Sequence, residues 1–457
     1  MTTSTAIPIE ELRREFEGRV VAPGDGEYDA ARRVFSGNID RHPAVIIRPA
    51  DAKEVGRVVT LARETGLELA VRSGGHSGAG HGTSEGGIVL DLAEMRALDI
   101  DPERRTAWAE TGLTSGEVTK AVDEKELAIG FGDTGSVGIG GITLGGGIGF
   151  LVRKFGLTID NLLAAEIVTA DGEVFRVDEE THPDLFWAIR GGGGNFGVAT
   201  RFQYRLRPIE SVVGGMLFLP ATPDVIAGFL TAASEAPDEL STIANVMPAP
   251  PMPFVPEEHH GKLIVFAFMT YVGDVEAGQR AIAPFRSLAT PIADMVRPMR
   301  YPEMYMPDAE DYHPISAGRT TFVDAVDDRA IHRILDSLEA SSATMRVTQI
   351  RALGGAMARV PNEATAFAHR KRNFMLTVAA VFENVDQTAE HEAWVTSCWN
   401  ELQRGDRAAY VGFLGDEGDG RIREAYPGAT WDWLAEVKAR YDPSNVFRVN
   451  QNVLPKQ

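Results

Sequence analysis

Apolar positions recur along this chain at two spacings, and the pattern changes character near residue 209. Before that point, short apolar runs bounded by Pro, Gly and Asp alternate with stretches of helical period. Residues 43–49 form an apolar run between prolines and predict a strand. Residues 51–65 set Val55, Val58, Val59 and Ala62 at helical spacing, with Asp51 as N-cap and Gly66 as stop. Residues 67–72, 87–92 and 106–112 predict three more strands, and Thr114 to Lys125 a helix. Asp171-Gly172, between the runs 164–170 and 173–177, predicts a hairpin. Residues 183–190 predict a short helix, and Val198 to Leu206 a closing strand before Pro208.

Beyond residue 209 the elements lengthen. Leu263 to Tyr271 predicts a strand and Arg329 to Leu338 a helix. The proline-rich segment 247–256 predicts an exposed loop. Trp431 to Tyr441 predicts a helix, followed by an irregular tail over 442–453 whose polar residues imply docking on the rest of the chain. These shifts divide the chain into units 1–208, 209–405 and 406–457.

Composition narrows the function classes. The 457 residues are 44% hydrophobic and 24% charged, with a formal net charge of −20. That field repels phosphate backbones and anionic headgroups, and no basic run offsets it, so no nucleic-acid partner is expected. The single cysteine, Cys398, excludes an internal disulfide and any multi-cysteine metal site. Its helical surroundings predict a buried small residue, and no metal site is expected. Residues 1–8 lack a basic region and an apolar core, so no signal peptide is read. No apolar run approaches ~18 residues, so no membrane span is expected. The expectation is a cytoplasmic monomer or homodimer.

Three glycine clusters fall in the first unit, at 73–82, 130–149 and 191–197. Each reads either as a tight turn or as a nest of converging amides for a phosphate. Three in one half of a chain favour a bound dinucleotide. The nicotinamide fingerprint fails, because Gly138-Ile-Gly-Gly-Ile-Thr and Gly191-Gly-Gly-Gly-Asn-Phe both lack the sixth-position glycine. No Walker lysine follows any cluster. His76 stands inside the first turn, at a strand end. A neutral imidazole there is a nucleophile able to bond an electrophilic flavin ring methyl.

Arg72-Ser-Gly-Gly-His-Ser resembles the flavin-attachment motif of the berberine-bridge-enzyme-like oxidases, in the vanillyl-alcohol oxidase / p-cresol methylhydroxylase superfamily. Val137-Gly-Ile-Gly-Gly-Ile-Thr-Leu-Gly-Gly-Gly-Ile-Gly is similar to the family's second flavin loop. Residues 156–163, 184–198 and 441–453 continue the likeness in order over nearly the whole chain. The resemblance implies an α+β fold: a two-part PCMH-type FAD-binding domain (1–208 plus the returning segment 406–457) and an antiparallel-sheet substrate domain (209–405) backed by helices. It implies FAD attached through His76, with Arg72, Ser73, Gly74, Gly75 and Ser77 in the pyrophosphate turn. Gly138, Gly141 and Gly147 would let the second loop approach. Val198 would meet the adenosine half, and Asn450 and Gln451 the isoalloxazine. Many relatives attach the flavin a second time through a cysteine; Thr134 stands there, so one bond is expected.

The same resemblance places the chemistry. Relatives that oxidise alcohols often carry Tyr-x-Asn-Tyr with the second tyrosine as base. Here the stretch is Tyr410-Val-Gly-Phe, and Phe413 has no hydroxyl. Tyr410, Gln349 and Arg351 are the catalytic candidates, with Tyr301, Tyr305 and Tyr312 behind them. Gln349 and Arg351 alternate onto one face of a predicted strand. Hydride would pass from an amine or alcohol C–H to flavin N5. Val137 matches a position where small side chains leave dioxygen a path, so an oxidase making hydrogen peroxide is expected. A dehydrogenase with another acceptor, and an inactive flavin- or ligand-binding protein, are the alternatives.

Overall fold

Short apolar runs become strands wherever a capped helix or a glycine turn ends the run. The structure is a computed structural model that describes residues 7–307, 312–403, 405 and 407–457. In it β1 (Val20–Val21), β2 (Val45–Ile47), β3 (Leu69–Arg72) and β4 (Ile88–Asp91) make a sheet in the order β1-β2-β4-β3. Between β2 and β3 runs helix α1 (Ala52–Thr65). The Asp51 carboxylate accepts from the Glu54 amide at its start, and Gly66 closes it at φ +69°. Val55, Val58, Val59 and Ala62 are buried on one face, as their spacing predicts.

A second sheet is antiparallel throughout. It holds β5 (Leu98–Asp101), β6 (Thr106–Glu110), β7 (Leu162–Val168), β8 (Val174–Val177) and β9 (Val198–Arg205) in the order β5-β6-β9-β7-β8. The β7–β8 hairpin turns at Gly172, φ +83°. Helix α2 (Ser115–Asp123) starts with a Thr114/Glu117 capping box. Inside the glycine-rich stretch lies a helix the sequence reading left out, α3 (Ile139–Gly145). Helix α4 (Pro183–Ile189) precedes β9. The apolar face of α1 meets Val168, Ala170 and Val198, so the two sheets share a core.

Residues 212–382 supply an eight-stranded antiparallel sheet. Its central strands are β10 (Val212–Pro220), β11 (Leu240–Pro248), β12 (Leu263–Val272), β13 (Met345–Ala352) and β14 (Phe374–Phe382). Four helices cover one face: α5 (Pro223–Glu235), α6 (Val275–Arg286), α7 (Asp328–Ala340) and α8 (Thr388–Leu402). Phe229, Phe285, Ile334 and Trp399 from these helices pack on Leu217, Val265 and Ile350. Cys398 is buried in the same core. Alternation along β11 and β13 then turns Ile243, Asn245, Gln349 and Arg351 toward the opposite face. The proline-rich segment after β11 lies against the sheet rather than free, with Val255 buried and Phe254 edge-on to Phe218.

Helix α9 (Ala429–Tyr441) carries the chain back to the first two sheets, and the tail is bolted down by a buried ion pair. Lys438 Nζ donates to Asp442 Oδ2 at 2.6 Å and to the Asn195 and Phe447 carbonyls. Asp442 also accepts from the Val446 and Phe447 amides. No helix among the described residues is long and apolar enough to cross a membrane.

Candidate functional site

The first two glycine clusters meet backbone to backbone. A Cβ on Gly74 would stand 2.3 Å from the Gly138 nitrogen, and one on Gly138 would stand 2.3 Å from the Gly74 nitrogen. The Ser73 hydroxyl stitches the seam, donating to the Thr111 carbonyl and accepting from the Gly140 amide at 3.1 Å. The second loop is also pinned to α2, whose Ser115 amide donates to the Val137 carbonyl at 2.8 Å. The third cluster is tied to the tail through Asn195. Its Nδ2 donates to the Gln451 carbonyl at 3.1 Å, and its Oδ1 accepts from the Val453 amide at 2.8 Å.

Between these elements lies a cavity of about 430 Å³. Arg72, Ser73, Gly74, Gly75, His76, Ser77, Thr134, Val137, Gly138, Gly141, Val198, Asn450, Gln451 and Tyr410 all line it. Arg72 turns its guanidinium away to Asp91, Nη2 to Oδ2 2.8 Å in a buried pair, and so props the turn from behind. Gly147 also acts from behind. It adopts φ +78°, a Cβ there would meet the Thr158 hydroxyl, and its amide donates to the Tyr410 hydroxyl at 2.9 Å.

The lining fits a flavin. Gly141 and Gly194 face open space at the cavity wall. The Asn450 Nδ2 donates to the Gly194 and Phe447 carbonyls, which leaves its Oδ1 buried without a partner. Buried acceptors are almost always paired. An orphan acceptor beside a glycine-lined slot suits a ring edge bearing an N–H, as the isoalloxazine does. Gln451 is more committed, with Nε2 donating to the Leu414 carbonyl at 3.0 Å.

Strand β13 meets the second loop through charge. Arg351 Nη2 bonds Asp133 Oδ2 at 2.6 Å, Nε bonds Gln349 Oε1 at 2.8 Å and Nη1 reaches the Ile148 carbonyl at 3.3 Å. Its guanidinium also lies 5.3 Å over the Phe413 ring. The Gln349 Nε2 donates to Asn245 Oδ1 at 2.9 Å. Three of the five Arg351 N–H groups are thus taken by this chain's own groups. The sequence reading missed Asp133, although it is the one charged residue in the run Gly130–Gly149.

The tyrosines separate. Tyr410 is 3% exposed, and burial pushes its hydroxyl up to about 12. Tyr301 and Tyr305 pair with each other at 3.5 Å, and burial raises both. Tyr312 lies apart from them, edge-on to Phe35, whose ring stacks on His76. His369 and Arg370 line no part of the cavity. His369 bonds the Glu424 carbonyl, and Arg370 forms a buried pair with Asp160 at 2.8 Å.

Comparison with known proteins finds relatives over the whole chain. The FAD binding domain family matches residues 43–178, and the berberine and berberine-like family matches residues 409–454. The (R)-6-hydroxynicotine oxidase of Paenarthrobacter nicotinovorans is 30% identical, with both chains covered completely. The crystal structure of 6-hydroxy-D-nicotine oxidase from Arthrobacter nicotinovorans superposes with a TM-score of 0.85 at 27% identity, covering 96% of this chain and 98% of that one. A xylooligosaccharide oxidase from Myceliophthora thermophila, solved with xylobiose, shares the fold at a TM-score of 0.85 and 24% identity, over 99% of this chain and all of the other.

Proposed function

Because the chain belongs to the berberine and berberine-like family of FAD-linked oxidoreductases, we propose that it oxidises a small-molecule amine, or less favourably an alcohol, and returns the electrons to dioxygen as hydrogen peroxide. The observation that carries this reading is the glycine-lined cavity joining His76, Asn450 and the seam beneath β13. When bound there, FAD supplies a two-electron acceptor for a substrate hydride.

The chain's own groups then divide the work. His76 would hold the flavin by one bond, since Thr134 offers no thiol for a second. Amides of the turn Ser73–Ser77 would face the pyrophosphate, and Asn450 Oδ1 would accept from the ring edge. Arg351 is poorly placed to bind a substrate carboxylate, because it is 4% exposed, lies outside the cavity lining and spends three of its five N–H groups on Asp133, Gln349 and Ile148. It fixes Gln349 and Asp133 instead, and of these Asp133 lines the cavity.

An alcohol must give up its hydroxyl proton as hydride leaves, and this needs a base within ~3 Å. Tyr410 is a poor one, with its oxygen bound to the Gly147 amide and its acidity suppressed by burial. Phe413 has no proton acceptor. A neutral amine needs no base, because its lone pair supports the forming iminium. That difference favours the amine.

The test is anaerobic. The flavin-loaded protein is mixed with a panel of amines, alcohols and sugars, and bleaching of the flavin band is followed. Dioxygen is then admitted and peroxide assayed. Amine-dependent bleaching with stoichiometric peroxide is the expected result. Fast reoxidation by a quinone but not by dioxygen would make the protein a dehydrogenase. A loaded protein that no donor bleaches would be a flavin-binding protein without turnover.

A further inference from the structure

We propose that Phe35 is a positioning residue for the His76–flavin bond, fixing the plane of the imidazole that would meet the ring methyl. This rests on the reading that His76 carries the flavin, and it concerns a residue outside the glycine turn.

The Phe35 and His76 rings stack with centroids 4.3 Å apart and planes inclined by 19°. Phe35 is itself held from two sides. Its amide donates to the Gly75 carbonyl at 3.0 Å, tying it to the residue before the histidine. On the other side, residues of the third sheet's unit grip the same segment. His313 Nδ1 bonds the Val34 carbonyl at 2.8 Å, the Gly37 amide donates to the Pro314 carbonyl at 2.9 Å, and the Ser316 amide donates to Asn38 Oδ1 at 2.7 Å. Tyr312 meets Phe35 edge-on at 6.2 Å.

The stacked pair also forms a partition. Phe35 and His76 line the flavin cavity, and both also line a second cavity of about 460 Å³ shared with Arg33, Arg48 and Tyr312. Rotation about the imidazole's second side-chain torsion is intrinsically broad. Without the phenyl face, the ring loses one of the contacts that hold it against turning toward the second cavity. Bond formation needs the nitrogen lone pair aligned with its target, and misalignment of the order of 1 Å costs on the order of a hundredfold in rate.

The chemistry balances without another cofactor. A C–N bond forms to the 8α carbon as one methyl C–H and one imidazole N–H are broken. The electron pair and two protons pass to the flavin ring. Dioxygen then takes both electrons and both protons and leaves as hydrogen peroxide, returning the ring to its oxidised state.

The experiment follows attachment, not turnover. Apo-protein is prepared as wild type, Phe35→Ala, Phe35→Leu and Phe35→Trp and incubated with FAD. Bound flavin is measured by absorbance, covalent flavin by acid precipitation, and folding by thermal melting. Phe35→Ala should bind FAD at wild-type stoichiometry but attach it about tenfold or more slowly. Phe35→Trp should restore the rate. If Phe35→Ala fails to fold, Phe35→Leu decides, with the same expected slowing. Attachment at the wild-type rate in the folded variant overturns the proposal, as does loss of FAD binding in both the alanine and leucine variants. Wild-type flavin released entirely by acid would overturn the premise about His76 instead.

Discussion

Tyr410 and Phe413 stand edge-on, ring centroids 5.2 Å apart, yet only one of them carries a hydroxyl. That hydroxyl accepts the Gly147 amide, so its first duty is structural. Tyr410→Phe leaves a buried N–H without a partner, which costs about 1–3 kcal/mol. The melting temperature should fall accordingly, while kcat changes by less than about tenfold. Loss of a true proton acceptor would lower kcat by about 10²–10⁴, and a drop of that size would return Tyr410 to the role of base. The sequence located this residue but could not place its oxygen, because the Gly147 amide comes from a distant turn. Asp133 shows the converse. It is the one charge within a glycine run, but its meaning appears only when β13 brings Arg351 to it.

At the scale of elements, the legible parts were those whose signals are local. Asp51 and Gly66 mark both ends of α1 in the sequence, and the structure caps the helix at both. Helix α3 escaped because its residues, Ile-Gly-Gly-Ile-Thr-Leu-Gly, have poor helix propensity. Packing holds it instead, with Ile139, Thr143 and Leu144 buried. The glycines of that region divide by what surrounds them, and this can be tested. Gly138→Ala drives a Cβ to 2.3 Å from both the Gly74 nitrogen and the Ser73 hydroxyl, and the Gly74 backbone cannot rotate away. Overpacking of this kind costs about 1–3 kcal/mol, so apo-protein stability should fall and flavin should be lost. Gly141→Ala puts its methyl into open space. It should leave apo stability unchanged or raise it by up to about 1 kcal/mol, since Ala is the better helix former, and weaken flavin uptake alone. Urea unfolding of the apo-proteins, beside flavin titration, separates the two. Equal destabilisation by both would mean that Gly141 has no ligand-facing role.

At the scale of the whole molecule, buried charges join parts distant in sequence, and this long-range wiring was the least legible feature. Arg351 is 4% exposed and reaches Asp133 across the seam between the third sheet and the flavin loops. Arg351→Met strands that carboxylate, and breaking a buried pair from one side costs about 3–5 kcal/mol. The low end is expected, because the Asp133 side chain keeps 21% exposure. The double variant Arg351→Met/Asp133→Leu should recover most of the loss in a melting experiment. Recovery of none of it would show that the pair does not couple the two. His369 couples the same third-sheet unit to the C-terminal segment, through Phe322 on one side and the Glu424 carbonyl on the other. Burial holds its imidazole neutral, with its pKa pushed down to about 4. In the unfolded chain a histidine titrates near about 6.5. Between those values the unfolded state binds more protons than the native state, so stability rises with pH across the window. The contribution is fully present above about pH 6.5 and lost as pH falls toward 4, about 3 kcal/mol in all. Carboxylates act across the same range but equally in both proteins of a matched pair. Wild type and His369→Gln are therefore compared by urea unfolding at pH 7.5, 5.5 and 4.5. The wild type should lose its advantage over the variant step by step with acid. A constant difference across the three pH values would mean that His369 takes up its proton in the folded state as readily as in the unfolded one.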